Sequence, residues 1–353
     1  MRFKLQALIG AIAVGAVACS MMPGAGGGSG KSAVNTAGKT LVADPTWTYL
    51  MSEIPVPEQG TLVLTAEVAL DNVYDVGKTP YGQRVVAVTQ EGTMTGPKIQ
   101  AKVLPGGLDF NLALSNGVQE VEQILVLQTS DNNYAIMRNA GTGASGADVR
   151  VVYDFEAPKD GTFAWLNSGK YVGRRSIDAA AKKMTLSIYE VSGVAIDPAK
   201  TVKIQKPTDK PPQPWGYRIA PPGEVRGETI LNEGVALGRS QAIRNAKNGN
   251  RNVIPITGGT LEGLVSGKVL FGGADYQSPT TGPAIDARYL WQTTTGEIIV
   301  VRNAGPGNAL IPTFETSVDG KFNWLNSGKY ASSPPGGGKC SMPGLCIAMY
   351  KIK

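Results

Sequence analysis

The chain has no histidine among its 353 residues. That absence excludes Ser-His-Asp and Cys-His nucleophilic pairs and any His-ligated zinc. Acid–base chemistry, if present, falls to Asp, Glu, Tyr, Lys or Arg. Cysteine is scarce too, with only Cys19, Cys340 and Cys346. Two thiols without histidine make a poor metal site, so the expectation for Cys340 and Cys346 is a local disulfide across the turn-forming Pro343-Gly344. No metal and no cofactor is expected. Charged residues make up 18% of the chain, and the net charge of +6 includes Arg2 and Lys4 near the N-terminus. There is no dense Lys/Arg stripe with interleaved aromatics, so nucleic acid is not an expected partner. Beyond the first twenty residues, no apolar run is long enough to span a bilayer as a helix.

What is present begins with an export pattern. A short basic start precedes an apolar run from Leu5 to Ala18. Its length suits a signal-peptide core better than a membrane span. Ala16-Val17-Ala18 supplies a small-x-small cleavage pattern, and Val17-Ala18-Cys19 resembles a bacterial lipobox. The expectation is a signal peptide over residues 1–18 and lipidation of Cys19, with ordinary cleavage as the alternative. Ser20 resembles the outer-membrane default. The protein is thus expected at the outer membrane through a lipid anchor, or in the periplasm without one. Residues 19–53 read as a flexible, Gly/Ser-rich tether. Gly30-Lys31-Ser32 imitates a phosphate loop, but the segment before it is a leader, not a buried strand, so that reading is rejected.

An internal repeat dominates the rest. Phe163-Ala-Trp-Leu-Asn-Ser-Gly-Lys-Tyr171 recurs as Phe322-Asn-Trp-Leu-Asn-Ser-Gly-Lys-Tyr330, identical at eight of nine positions. Phe155-Glu156 returns at Phe314-Glu315, Arg138-Asn-Ala-Gly141 at Arg302-Asn-Ala-Gly305, and Gly82-Gln-Arg84 at Gly249-Asn-Arg251. Lys102-Val-Leu-Pro-Gly-Gly-Leu-Asp-Phe110 pairs with Lys268-Val-Leu-Phe-Gly-Gly-Ala-Asp-Tyr276. The order is the same in both halves, so the chain is a duplication. The repeats are expected over 54–195 and 222–353. Residues 196–221 between them read as a linker whose prolines interrupt helix and central strand alike.

Each repeat reads as all-β. Thr61–Leu70, Arg84–Val88, Gln123–Gln128, Met184–Tyr189 and Glu297–Arg302 are short and apolar or alternating. Turn signals stand at Asp131-Asn-Asn133 and Thr293-Thr-Thr-Gly296. The expectation is two tandem small antiparallel barrels, because closure removes exposed sheet edges.

These motifs resemble a bacterial and fungal family known only as domain of unknown function 3237. Its pattern runs Gly-x-Arg, Gly-Gly-x-x-x-Gly, Gly-Gly-x-Asp-aromatic, Phe-Glu-Thr and Trp-Leu-Asn. The second repeat carries nearly all of it, in Gly258-Gly259, Gly263, Gly272-Gly273-Ala274-Asp275-Tyr276, Phe314-Glu315-Thr316 and Trp324-Leu325-Asn326. The first departs at Glu91-Gly92, Leu108-Asp109-Phe110 and Ala157. The resemblance implies a calycin-like barrel and no particular reaction.

Polar residues kept in both copies are Arg84/Arg251, Asp109/Asp275, Arg138/Arg302, Glu156/Glu315 and Asn167/Asn326. As a binding set, Arg251 or Arg302 would grip a carboxylate, and Trp324 would stack on a ring. As a catalytic set, Asp275 with Tyr276 would serve as acid and base. The structural reading makes Gly-Gly-x-Asp a turn, the Trp-Leu-Asn segment a core aromatic entering a turn, and Arg138–Glu156 a buried pair. Three functions follow. The first is a barrel that binds a small, partly apolar or aromatic-acid ligand. The second is a histidine-independent lyase, isomerase or cyclase, and the third a structural envelope protein. The second repeat, closer to the family pattern, is the expected active one.

Overall fold

The computed structural model describes residues 53–115, 117–144, 149–195, 197–203, 226–278, 285–305 and 310–353. The leader, Cys19, nearly all of the tether and most of the linker lie outside the described residues. Among the described residues helix is confined to four short 3-10 turns, and everything else regular is strand. No described helix is long and apolar enough to cross a membrane.

The first lobe runs through β2 (Thr61–Thr79), β3 (Gly82–Gly96), β4 (Ile99–Val103), β5 (Leu108–Ala113) and β6 (Val118–Thr129). It continues through β7 (Tyr134–Ala144), β8 (Arg150–Glu156), β9 (Tyr171–Asp178) and β10 (Lys183–Glu190). Ahead of it, β1 (Glu53–Ile54) pairs antiparallel with β11 (Val202–Lys203). The last residue of the expected tether and part of the expected linker thus form a small sheet of their own.

The strand order β2-β10-β9-β8-β7-β6-β4-β3 closes on itself through a β2–β3 pairing, giving an eight-stranded barrel. β5 fills the gap where β4 ends, pairing with β3 and β6. Alternation along each strand sends one set of side chains inward. Leu64, Ala66, Val68, Met94, Leu125, Met137 and Leu186 form that core.

The second lobe repeats the plan in β12 (Arg226–Leu237), β13 (Gln241–Ile243), β14 (Arg251–Gly263), β15 (Gly267–Val269) and β16 (Ala274–Gln277). It ends with β17 (Ile285–Thr293), β18 (Ile298–Gly305), β19 (Ile311–Glu315), β20 (Tyr330–Ser332) and β21 (Leu345–Ile352). Its order β19-β18-β17-β15-β14-β12-β21-β20 does not close into a ladder. The expectation of two equivalent barrels is therefore corrected, since the second lobe is the more open. The cause is local. β20 has three residues where β9 has eight, too few to pair along β19. Across the seam the Ser332 N–H donates to the Leu310 carbonyl at 2.9 Å. Cys340 and Cys346 are joined by a disulfide, closing the loop before β21.

The glycines of Gly-Gly-x-Asp are needed where they stand. Gly273 has φ +82°, and a Cβ there would lie 1.9 Å from the Arg288 carbonyl oxygen. This close approach lets β16 begin beside β17 and fixes which residues of β16 face inward.

Candidate functional site

Most of the retained charged residues lie between the lobes rather than in a barrel mouth. Arg84 of the first lobe donates from Nε to Glu315 of the second at 3.0 Å. The reverse pair, Arg251 of the second lobe and Glu156 of the first, meets at 2.7 Å. Arg84 corresponds to Arg251 and Glu156 to Glu315, so the two contacts are related by a pseudo-twofold axis. The backbone obeys the same symmetry. The Val318 N–H donates to the Lys78 carbonyl at 2.7 Å, and the Lys159 N–H to the Asn245 carbonyl at 2.9 Å.

Arg138 reaches the same Glu156 at 3.0 Å. Arg302 instead pairs with Asp286 at 2.6 Å, and Arg288 bridges Asp286 to Glu122 of the first lobe. All these ionic side chains are nearly sealed from solvent. Burial pushes the Glu122 carboxyl up from its ordinary range, against the pull of Arg288. Two apolar clusters flank the ionic layer. One joins Val86, Val88 and Phe110 to Leu290 and Val300; the other joins Val126 and Ile136 to Val253 and Tyr276. Tyr276 thus belongs to the lobe interface. It follows Asp275 directly on β16, so the two face opposite sides of the strand.

Asp109 and Asp275 do point inward, each in a belt of side chains in register across neighbouring strands. In the first lobe the belt runs Ala87, Asp109, Gln123, Asn139, Tyr153. Gln123 donates to Asp109 at 2.9 Å, and Asn139 donates to Gln123 at 2.7 Å. Arg175 from β9 clamps Asp109 through both Nε and Nη2. The charge of Asp109 is fully compensated. Burial raises the Tyr153 hydroxyl far above its normal pKa.

In the second lobe the belt runs Ile254, Asp275, Ala287, Asn303. Pro334 stands where the repeat alignment puts Arg175, and Ala287 where it puts Gln123. Among the described residues the Asp275 carboxylate therefore meets neither a hydrogen-bond donor nor a cation. Burial, with the charge of Asp286 behind it, lifts its pKa to about 6. Asp275 is partly exposed, so the group can still be reached.

A second carboxylate shares this interior. Glu233, on β12, occupies the position of Ala66 in the first lobe and is completely buried. It accepts from the Tyr289 hydroxyl at 2.8 Å and from the Trp291 Nε1–H at 2.7 Å. Desolvation raises its pKa to about 7 despite those two donors, and the charge of Asp275 pushes the same way. Tyr289 is held protonated by burial and by Glu233. An aromatic wall adjoins the pair. Trp291 lies 5.1 Å from Phe314, which lies 5.1 Å from Tyr330.

Trp324 is half-buried against this core, 6.3 Å from Tyr330, with Lys351 over its ring at 4.9 Å. Asn326 and Asn167 are backbone clamps. Asn326 accepts from the Thr316 N–H at 2.9 Å and donates to the Thr316 carbonyl at 3.0 Å. Asn167 does the same to Ala157.

Comparison with known proteins finds the same duplication. The model of the family described as "Protein of unknown function (DUF3237)" matches residues 59–150 and again 226–308. The chain carries two domains of that family. It is 46% identical over 59 residues to a UPF0311 protein of Bradyrhizobium diazoefficiens, and 43% identical over 60 residues to one of Rhodopseudomonas palustris. Each match covers 16% of this chain and 39% of the relative, so the likeness spans about two-fifths of either relative's length. A crystal structure of a conserved protein of unknown function from Rhodopseudomonas palustris is 22% identical, covering 37% of this chain and 95% of the other, with a TM-score of 0.33.

Glu233, Tyr289, Trp291 and Arg175 escape sequence inspection because none is kept between the repeats. A signal exists for Glu233, a lone carboxylate at an inward position of an alternating strand. Seeing it requires the strand register.

Proposed function

We propose that the second lobe is a histidine-independent acid–base enzyme, an isomerase, lyase or cyclase acting on a small, partly aromatic carbonyl compound. The observation that carries this reading is the contrast between Asp275 and Asp109. At equivalent inward positions, Asp109 is neutralised by Arg175, while Asp275 is unpaired, reachable and raised to about 6. A carboxylate with a pKa near the working pH is suited to take a proton and return it. Glu233, raised to about 7 and tied to Tyr289, places a second proton in the same low-dielectric interior. Asp275 removes a proton from carbon next to a carbonyl, the electron pair shifts to the carbonyl oxygen, and the proton returns at another carbon or to a leaving oxygen. The wall of Trp291, Phe314 and Tyr330 favours a substrate with a flat apolar part.

The test is solvent labelling. The full chain is incubated in D2O with a panel of aromatic and cyclic keto compounds, and carbon-bound deuterium is read by mass spectrometry. Incorporation that disappears in Asp275→Asn supports the proposal. Equal incorporation in that variant overturns it, as does none with any member of the panel.

Binding without turnover is the second reading. It is favoured by the partial exposure of Asp275 beside an aromatic wall, and the same variant separates the two. Export and lipid anchoring at Cys19 remain part of the proposal. Their support is the leader pattern together with the Cys340–Cys346 disulfide, a bond that suits an oxidising compartment.

A further inference from the structure

The first barrel has a site of its own. A cavity of about 420 Å³ opens at its rim, lined among others by Asn111, Gln119, Arg174, Arg175, Ser176 and Ser187. Its lining holds two arginines, two amides and three hydroxyls, with Val149 and Ile177 as the apolar members and no acidic side chain. The Arg175 side chain is 5% exposed. It spends Nε and Nη2 on Asp109, and among the described residues its Nη1 has no partner. A nearly buried guanidinium with an unspent donor edge on a polar cavity favours an acceptor oxygen there. Arg174, the preceding residue on β9, faces the other side of the strand and is held by Glu58 at 2.8 and 2.9 Å.

We infer that this cavity binds a small hydroxylated carboxylate, such as a sugar acid, with its carboxylate on the Arg175 Nη1 edge and its hydroxyls on the side-chain amides of Asn111 and Gln119, which share that face. The site lies in the other lobe from Asp275 and is independent of the chemistry proposed there. The two repeats then divide their work. The first has exchanged an available Asp109 for an anion-facing arginine, and the second has kept its aspartate free.

The probe is gluconate, with glucose as the matched neutral compound. Both are titrated into the isotope-labelled full chain and followed by amide chemical shifts. Gluconate is expected to move the amides of Arg174 to Ile177 and of Gln119, and glucose at the same concentration to leave them in place. The double variant Asp109→Asn, Arg175→Met removes both buried charges together, and is expected to weaken gluconate by about tenfold or more. If it does not fold, Asn111→Trp, at a half-buried position two residues along β5 from Asp109 and on the same face, fills the cavity and serves the same purpose. Equal shifts with glucose overturn the carboxylate assignment. Shifts confined to β16 overturn the location, and no shift with gluconate overturns the site.

Discussion

Arg84 and Glu315 meet across the lobe boundary at 3.0 Å with both side chains fully buried, and Arg251 and Glu156 repeat the contact in the opposite sense. Retention of these residues in both copies thus has a structural cause. A pseudo-symmetric interface uses each surface twice, so one change would break complementarity at one of two related places.

The first prediction concerns that interface. Glu315→Ala leaves the Arg84 guanidinium buried and without its carboxylate. It should lower stability by about 3–5 kcal/mol in chemical denaturation. Arg84→Met with Glu315→Leu removes both charges and should come within roughly 1–2 kcal/mol of the parent. Equal losses in the single and double variants would count against the pairing.

A second prediction concerns Glu233 and pH. Its pKa is about 7 in the folded chain against an ordinary 4.5. The folded state therefore holds a proton that the unfolded state has lost between those values. Its stabilising contribution is full below pH 4.5 and is lost as pH rises toward 7. Glu233→Gln keeps an acceptor for Tyr289 and Trp291 without the charge. It should gain roughly 3 kcal/mol on the parent at pH 8 and almost nothing at pH 4. Thermal melts at the two pH values decide it.

Activity, once a substrate is in hand, should follow both carboxyls. The rate should rise as Asp275 ionises near pH 6 and fall as Glu233 loses its proton near pH 7. Asp275→Asn should cost about 10²–10⁴ in kcat. A profile flat from pH 5 to 8 would remove both groups from the mechanism.

The disulfide closes a short loop, so reduction should cost about 2 kcal/mol on the chain-entropy account. A reduced sample that melts with the oxidised one would show that the loop is held by its other contacts, among them Ser341 on Glu262.

The all-β class, the duplication and the strands at Thr61–Leu70, Gln123–Gln128 and Glu297–Arg302 were legible because alternation and repetition are local signals. Closure was not. It depends on whether one strand is long enough to meet another far away in sequence, which is how the second lobe comes to stay open at β20. For the site, the motif singled out Asp275 as a candidate, while its inward direction needed the register of β16 on β14 and β17. The expectation that Arg251 or Arg302 grips a ligand carboxylate did not anticipate a lobe interface, which demands the same buried charges as a ligand would. Tyr276 was drawn to Asp275 by adjacency, and adjacency on a strand separates side chains. Glu233 and Arg175 needed the register.

The most direct measurement is a titration of the side-chain carboxyls of the full chain by carbon-13 NMR, with Asp275→Asn and Glu233→Gln supplying the assignments. Two carboxyls titrating near 6 and 7, with that of Glu233 shifted downward in Asp275→Asn, is the predicted result. Both titrating near 4 would contradict the account, leaving the second lobe's interior an ordinary core with no poised acid or base.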